Sequence, residues 1–200
     1  MTFVRYIIFT IPILFILAGT LLAQGMSDVI YGFHHTFSFS NTYHLLGIVG
    51  IGVWGNQARK SRVGNLSILF LLSLGVSCFL GMSVDVQFDM RPIVAGEIIF
   101  LGILISRSIG LNAIWDVGAV MLFGLLHGVM LGVVAKGKAP MFFPLGVILS
   151  GIVLLLIGAL ITWLFGIRDT KGSSSRNNNA PFAGGILVGA GITIMIWVLA

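Results

Sequence analysis

Apolar residues in this chain come in long unbroken runs separated by brief polar punctuation, with neither the alternation of a half-buried strand nor the stripe of an amphipathic helix. The runs approach the ~20 residues that cross a bilayer as helix, and they predict spans at about 34–56, 64–83, 92–109, 112–135, 141–166 and 182–200. Lipid offers backbone groups no partner outside a helix, so the expected fold is all-α, a polytopic six-helix transmembrane bundle. A β-barrel would need short alternating segments, and the pattern shows none. The connections are short except for "GIRDTKGSSSRNNNAPF", Gly166 to Phe182, which reads as a flexible loop closed by Pro181.

Residues 1–24 carry one Arg, an apolar centre and the small-residue end "LLA". This fits a cleaved signal peptide or a transmembrane anchor: the end favours the first, and the long run from Tyr6 to Ala23 favours the second. Residues 25–200 then form a single six-helix transmembrane domain.

Composition reinforces the pattern. The chain is 58% hydrophobic and 8% charged, far from the roughly 25% charged residues of a soluble domain. Its environment is therefore the lipid bilayer. A net charge of +5 would suggest nucleic acid in a soluble protein, but the basic residues lie between apolar runs without interleaved aromatics, so no nucleic-acid partner is expected. They act as topology signals. With Arg5 inside, eight of the eleven basic residues are cytoplasmic, while Arg91, Lys136 and Lys138 fall on the other side. That orientation puts the histidine-rich stretch beginning at His34 on the outer face. The single cysteine, Cys78, permits no internal disulfide or Cys-based zinc site and reads as a small core residue. Gly124, Gly128 and Gly132 form one G-x-x-x-G stripe and Gly185 with Gly189 another, a spacing that lets helices approach closely.

Candidate chemistry is concentrated in four histidines, His34, His35, His44 and His127, none in a polar loop of any length. Intramembrane imidazole is costly unless it finds a partner or faces water. Its plain role is an interhelical hydrogen bond. Its functional role is ligation of Ni²⁺, Co²⁺, Cu²⁺ or Zn²⁺. Asn41, Tyr43 and Ser40 could add oxygen between His35 and His44, which meet only if the segment between them is not helical. "TFSFSNT" is a poor helix former, so an unwound stretch is expected there. Glu97 lies within a span, where a carboxylate should face the bundle interior, as a packing or a functional group. Asp116 reads as a helix N-terminal charge at the interface. No enzyme motif is present: neither G-x-S-x-G, nor H-E-x-x-H, nor a phosphate loop. Paired histidines on facing helices would also suit a haem.

The run "HLLGIVGIGVWGNQ", His44 to Gln57, together with "LGILIS" and "FGLLHG", Phe123 to Gly128, resembles the HupE/UreJ family in order and spacing from about Gly32 onward. These are membrane accessory proteins of hydrogenase and urease gene clusters, regarded as nickel or cobalt permeases. The chain departs from the family's first-helix motif, H-P-x-x-G-x-D-H: "HTFSFSNTYH", His35 to His44, is two residues longer, lacks the proline, and has Tyr43 in place of the aspartate. The resemblance implies a multi-pass protein of the bacterial inner membrane that takes up Ni²⁺ or Co²⁺ as substrate, with no resident cofactor. It would work beside hydrogenase or urease maturation proteins. His44 and His127 carry over as metal-site residues, with His35, Glu97 and Asn41 around them. The alternative is a non-transporting membrane scaffold that keeps the fold and has lost metal binding. Because ligation needs neutral imidazole, uptake by the first reading should fall as pH drops through about 6.5.

Overall fold

A computed structural model of the protein describes residues 25–38, 41–57, 63–85, 89–109, 111–137, 141–167 and 179–200. The expectation of a signal peptide or anchor at 1–24 lies outside these residues. The described chain is all-helical: α1 (25–37), α2 (Thr42–Gln57), α3 (Val63–Ser83), α4 (Arg91–Ser106), α5 (Ala113–Ala135), α6 (Phe143–Leu164) and α7 (Ala180–Leu199).

Local chemistry sets the helix ends. Prolines stand in the first turns of α4, α6 and α7, where a missing N–H costs nothing. Asn112 caps α5 by accepting a hydrogen bond from the Trp115 N–H at 3.2 Å. After α6 the chain turns through Gly166 at φ +59°, a left-handed position that suits glycine.

The expected first span, 34–56, is two helices, α1 ending at 37 and α2 starting only at Thr42, so the helix is interrupted within the stretch expected to be unwound. The serine- and asparagine-containing segment between them competes with helical hydrogen bonding: Asn41 Nδ2 donates to the His35 carbonyl at 2.9 Å. Four helices, α3, α5, α6 and α7, are long and apolar enough to cross a membrane by themselves. α2 and α4 have 16 residues each, about 24 Å at ~1.5 Å per residue, short of the ~30 Å hydrocarbon core.

α3 packs chiefly on α5, α4 on α7, and α2 on both α6 and α4. α2 is the central element, with eleven of its 16 residues buried, whereas α7 is peripheral, with four of 20. One end of the bundle gathers the starts of α2, α4 and α6 with the ends of α3, α5 and α7. There Lys136 pairs with Asp85 at 3.1 Å, and the Arg91 guanidinium, paired with Asp89 at 2.7 Å, lies 5.7 Å from the Trp197 ring. Arg91 and Lys136, two of the basic residues that counted against the charge-based topology, thus each sit beside an acid.

The first glycine stripe makes the α3–α5 seam. A Cβ at Gly124 would come within 2.8 Å of the Phe70 carbonyl, and one at Gly128 or Gly132 would run into the α3 backbone. Ser73 and Ser77 then reach across to the carbonyls of Met121 and Gly124 at 2.7 and 3.0 Å. The second stripe meets no other described residue: Gly185 and Gly189 have nothing within 4 Å of a Cβ among the described residues, and α7 meets α4 through Gly184 and Gly191 instead. Cys78 is a buried free thiol in α3. Asp116 lies in the first turn of α5 but is buried, at 4% exposure, rather than at the interface.

Candidate metal site

Three of the sequence-selected residues meet in the bundle interior. His44 is two residues into α2, Glu97 six into α4, and His127 eight before the end of α5. The Nδ1 atoms of His44 and His127 are 2.6 Å apart, and His127 Nε2 is 3.0 Å from Glu97 Oε1. Both imidazoles are at most 1% exposed and Glu97 is 5% exposed. Residues 83 positions apart in sequence therefore share one hydrogen bond, brought together because α2 sits between α4, α6 and the α3–α5 pair.

With Glu97 as a carboxylate, which can only accept, His127 would present Nε2–H to it and turn a bare Nδ1 towards α2. His44 then supplies the single N–H of the Nδ1–Nδ1 contact. A carboxylate that holds the far nitrogen of an imidazole, fixing its tautomer and raising its basicity, is the usual support of a metal-ligating histidine.

Gly47, one turn after His44 on the same face, makes room for this arrangement. A Cβ there would stand 2.5 Å from His127 Nε2 and 2.7 Å from its Cε1. Sequence reasoning overlooked Gly47, although its i+3 spacing from His44 was the available signal. On the far side, the Phe70 ring meets His127 edge-on at 6.5 Å.

The remaining candidates form an outer cluster. Asn41 Nδ2 lies 3.3 Å from His35 Nε2, and Tyr43 donates its hydroxyl to Asn41 Oδ1 at 3.2 Å. The Tyr43 ring packs on His44 at 4.6 Å, so Tyr43 touches both the outer cluster and the buried pair. His34 is exposed and takes no part. Among the described residues no three His, Cys, Asp or Glu side chains gather as a metal-holding group.

A family model described as HupE / UreJ protein matches residues 10–194 of the 200-residue chain. The chain belongs to the HupE/UreJ family. Comparison with curated proteins and with solved structures returned no match. In this HupE/UreJ protein the family-like runs at 44–57 and 123–128 supply the two buried imidazoles, and the segment that departs from the family motif, 35–43, supplies the outer cluster.

Proposed function

We propose that this HupE/UreJ protein carries a divalent transition metal, Ni²⁺ before Co²⁺, inward across a bacterial inner membrane for metalloenzyme maturation. The observation that carries this reading is the buried His44–His127 contact backed by Glu97 on the opposite nitrogen of His127. Binding at the two Nδ1 atoms replaces the proton now shared between them. With metal–nitrogen bonds of ~2.0 Å, the nitrogens would separate to about 3.3 Å at a tetrahedral angle, a shift of well under one ångström for each ring. Two neutral imidazoles without a directly ligating carboxylate favour a borderline ion over hard Mg²⁺ or Mn²⁺ and hold it loosely enough to release. His35 and Asn41 provide an outer station, and Tyr43 lies between it and the pair.

Metal accumulation in cells expressing wild type, His44→Ala and His127→Ala tests this reading. Accumulation should fall to background in both variants, and equal accumulation in all three would sink it.

One observation favours a second reading. The lack of any three-ligand group among the described residues is what a scaffold would show if it kept the fold and used its histidines as interhelical links. On that reading His127→Asn preserves both assembly and phenotype, whereas on the first it abolishes uptake.

A further inference from the structure

α2 and α4 run side by side in the same direction, and their seam leads from the buried site to the far end of α2, the end expected to be cytoplasmic from the basic residues. At the start of the seam Gly47 faces Glu97, a Cβ there standing 3.6 Å from Glu97 Oε1, and about one turn on Gly50 faces Leu101 at 3.4 Å. At its far end hydrogen bonds take over. Trp54 donates its indole N–H to the Ile109 carbonyl at 3.2 Å. Gln57, the last residue of α2, donates Nε2 to the Ile105 carbonyl at 3.1 Å and to Ser108 Oγ at 2.9 Å. These three bonds join the end of α2 to the end of α4.

Two features of the junction oppose those bonds. Ser108 holds φ +50°, a left-handed position where a side chain crowds the backbone, in a turn closed by the Ser108 and Ile109 N–H groups on the Ile105 and Leu104 carbonyls. Glycine is the usual residue at that place in a helix C-terminal cap. Gln57 is 6% exposed, and its Oε1 is buried with no hydrogen-bond partner among the described residues, so that oxygen has lost its hydration without replacement. Parting the two helix ends would hydrate Oε1 and let the turn relax. Strained turns and unsatisfied buried groups recur where a structure has to switch between two states.

We propose that Gln57, with Ser108 opposite it, is the gate at the inner end of the transport route, closing the α2–α4 seam beyond the His44–His127 pair and parting to let the ion leave. This rests on the transport reading, since inward passage from His44 has to reach this end of α2. Gln57 is a positioning residue: it holds α4 against α2 and ligates nothing.

Sidedness of access tests the gate without metal. Full-length protein with Cys78→Ala carries Gly50→Cys as a reporter in the seam, or Leu101→Cys as a second reporter across from it, and vesicles of known orientation meet a charged, membrane-impermeant maleimide from one side at a time. Both reporters should react slowly from either side. Gln57→Glu keeps the shape of the side chain but turns an acceptor towards the Ile105 carbonyl, and it should raise the inner-side rate about tenfold or more while leaving the outer-side rate unchanged. Ser108→Ala, which removes one of the bonds to Gln57, should raise the inner-side rate about threefold, and it decides alone if Gln57→Glu fails to fold. An unchanged inner-side rate overturns the proposal, and so does an equal rise from both sides, which marks general loosening. Metal accumulation by the wild type is scored separately. A protein that accumulates none loses the transport reading and the gate with it, whereas one that accumulates metal and shows no sided response loses the gate alone.

Discussion

α5 treats its two neighbours in opposite ways. Towards α3 it offers Gly124, Gly128 and Gly132, and the backbones close until carbonyls and serine hydroxyls are shared between the helices. Towards α4 it offers His127, and apart from the contact with Glu97 much of that seam is a cavity. His127 and Gly128 are adjacent in sequence, so about 100° of helix rotation separates a close backbone approach from a buried polar contact. Lipid tails are as apolar as leucine, so helices associate in a bilayer through close approach and hydrogen bonds. One seam uses the first means, the other gives up packing to house ionisable groups, and stability and chemistry are thereby assigned to different faces of one helix.

The largest expected effect breaks the tight seam. Gly128→Leu drives a side chain into Ser77 and the Leu74 carbonyl, so the variant should lose about 3 kcal/mol or more and fail to give a monodisperse peak on size exclusion. A well-folded Gly128→Leu protein would show that the seam is not closed as described. Next comes the polar seam. Glu97→Gln keeps the shape of the side chain but removes the charge behind His127, and Ni²⁺ affinity by titration calorimetry should drop about 10- to 100-fold with melting little changed. Undiminished affinity would mean that Glu97 does not support His127 as a ligand. Gly47→Ala should act on the same ring from the other side, displacing it by about half an ångström or more, since a Cβ at 2.5 Å is well inside van der Waals contact. Its expected cost is a several-fold loss of Ni²⁺ affinity, larger than the change in melting temperature would suggest. The smallest effect belongs to the open part of the loose seam. Gly118→Ala adds a methyl group to empty space in a helix interior and should stabilise by about 0.5–1 kcal/mol, and a lowered melting temperature would contradict the cavity.

How far these two seams could be read in advance differs for physical reasons. The boundaries of α3 to α7 follow the apolar runs to within a few residues, because proline, serine and asparagine end them abruptly. The glycine stripe on α5 announces its own seam through its period of four. The bounds 34–56 ran through a break that the poor helix formers of "TFSFSNT" had marked, where Asn41 bonds the His35 carbonyl. For the site, the cost of burying an imidazole or a carboxyl in lipid singled out His44, His127 and Glu97 one at a time. Their connection was not legible, since it depends on α2 lying between helices that come later in the chain. Gly47 escaped notice because a missing side chain carries no chemistry of its own.

The central position of α2 has a consequence for the order of synthesis. It is made before α4 and α6, the helices that bury it, and it is too short to cross the membrane comfortably. During that interval His44 has neither His127 nor a packed surround, and the most enclosed helix of the finished protein is the least accommodated helix of the growing one. A chain stopped after Ser83 should therefore leave a cysteine placed at His44 open to a water-soluble thiol reagent that cannot reach it in the full-length protein. The residue at the heart of the finished bundle passes through assembly as its weakest point.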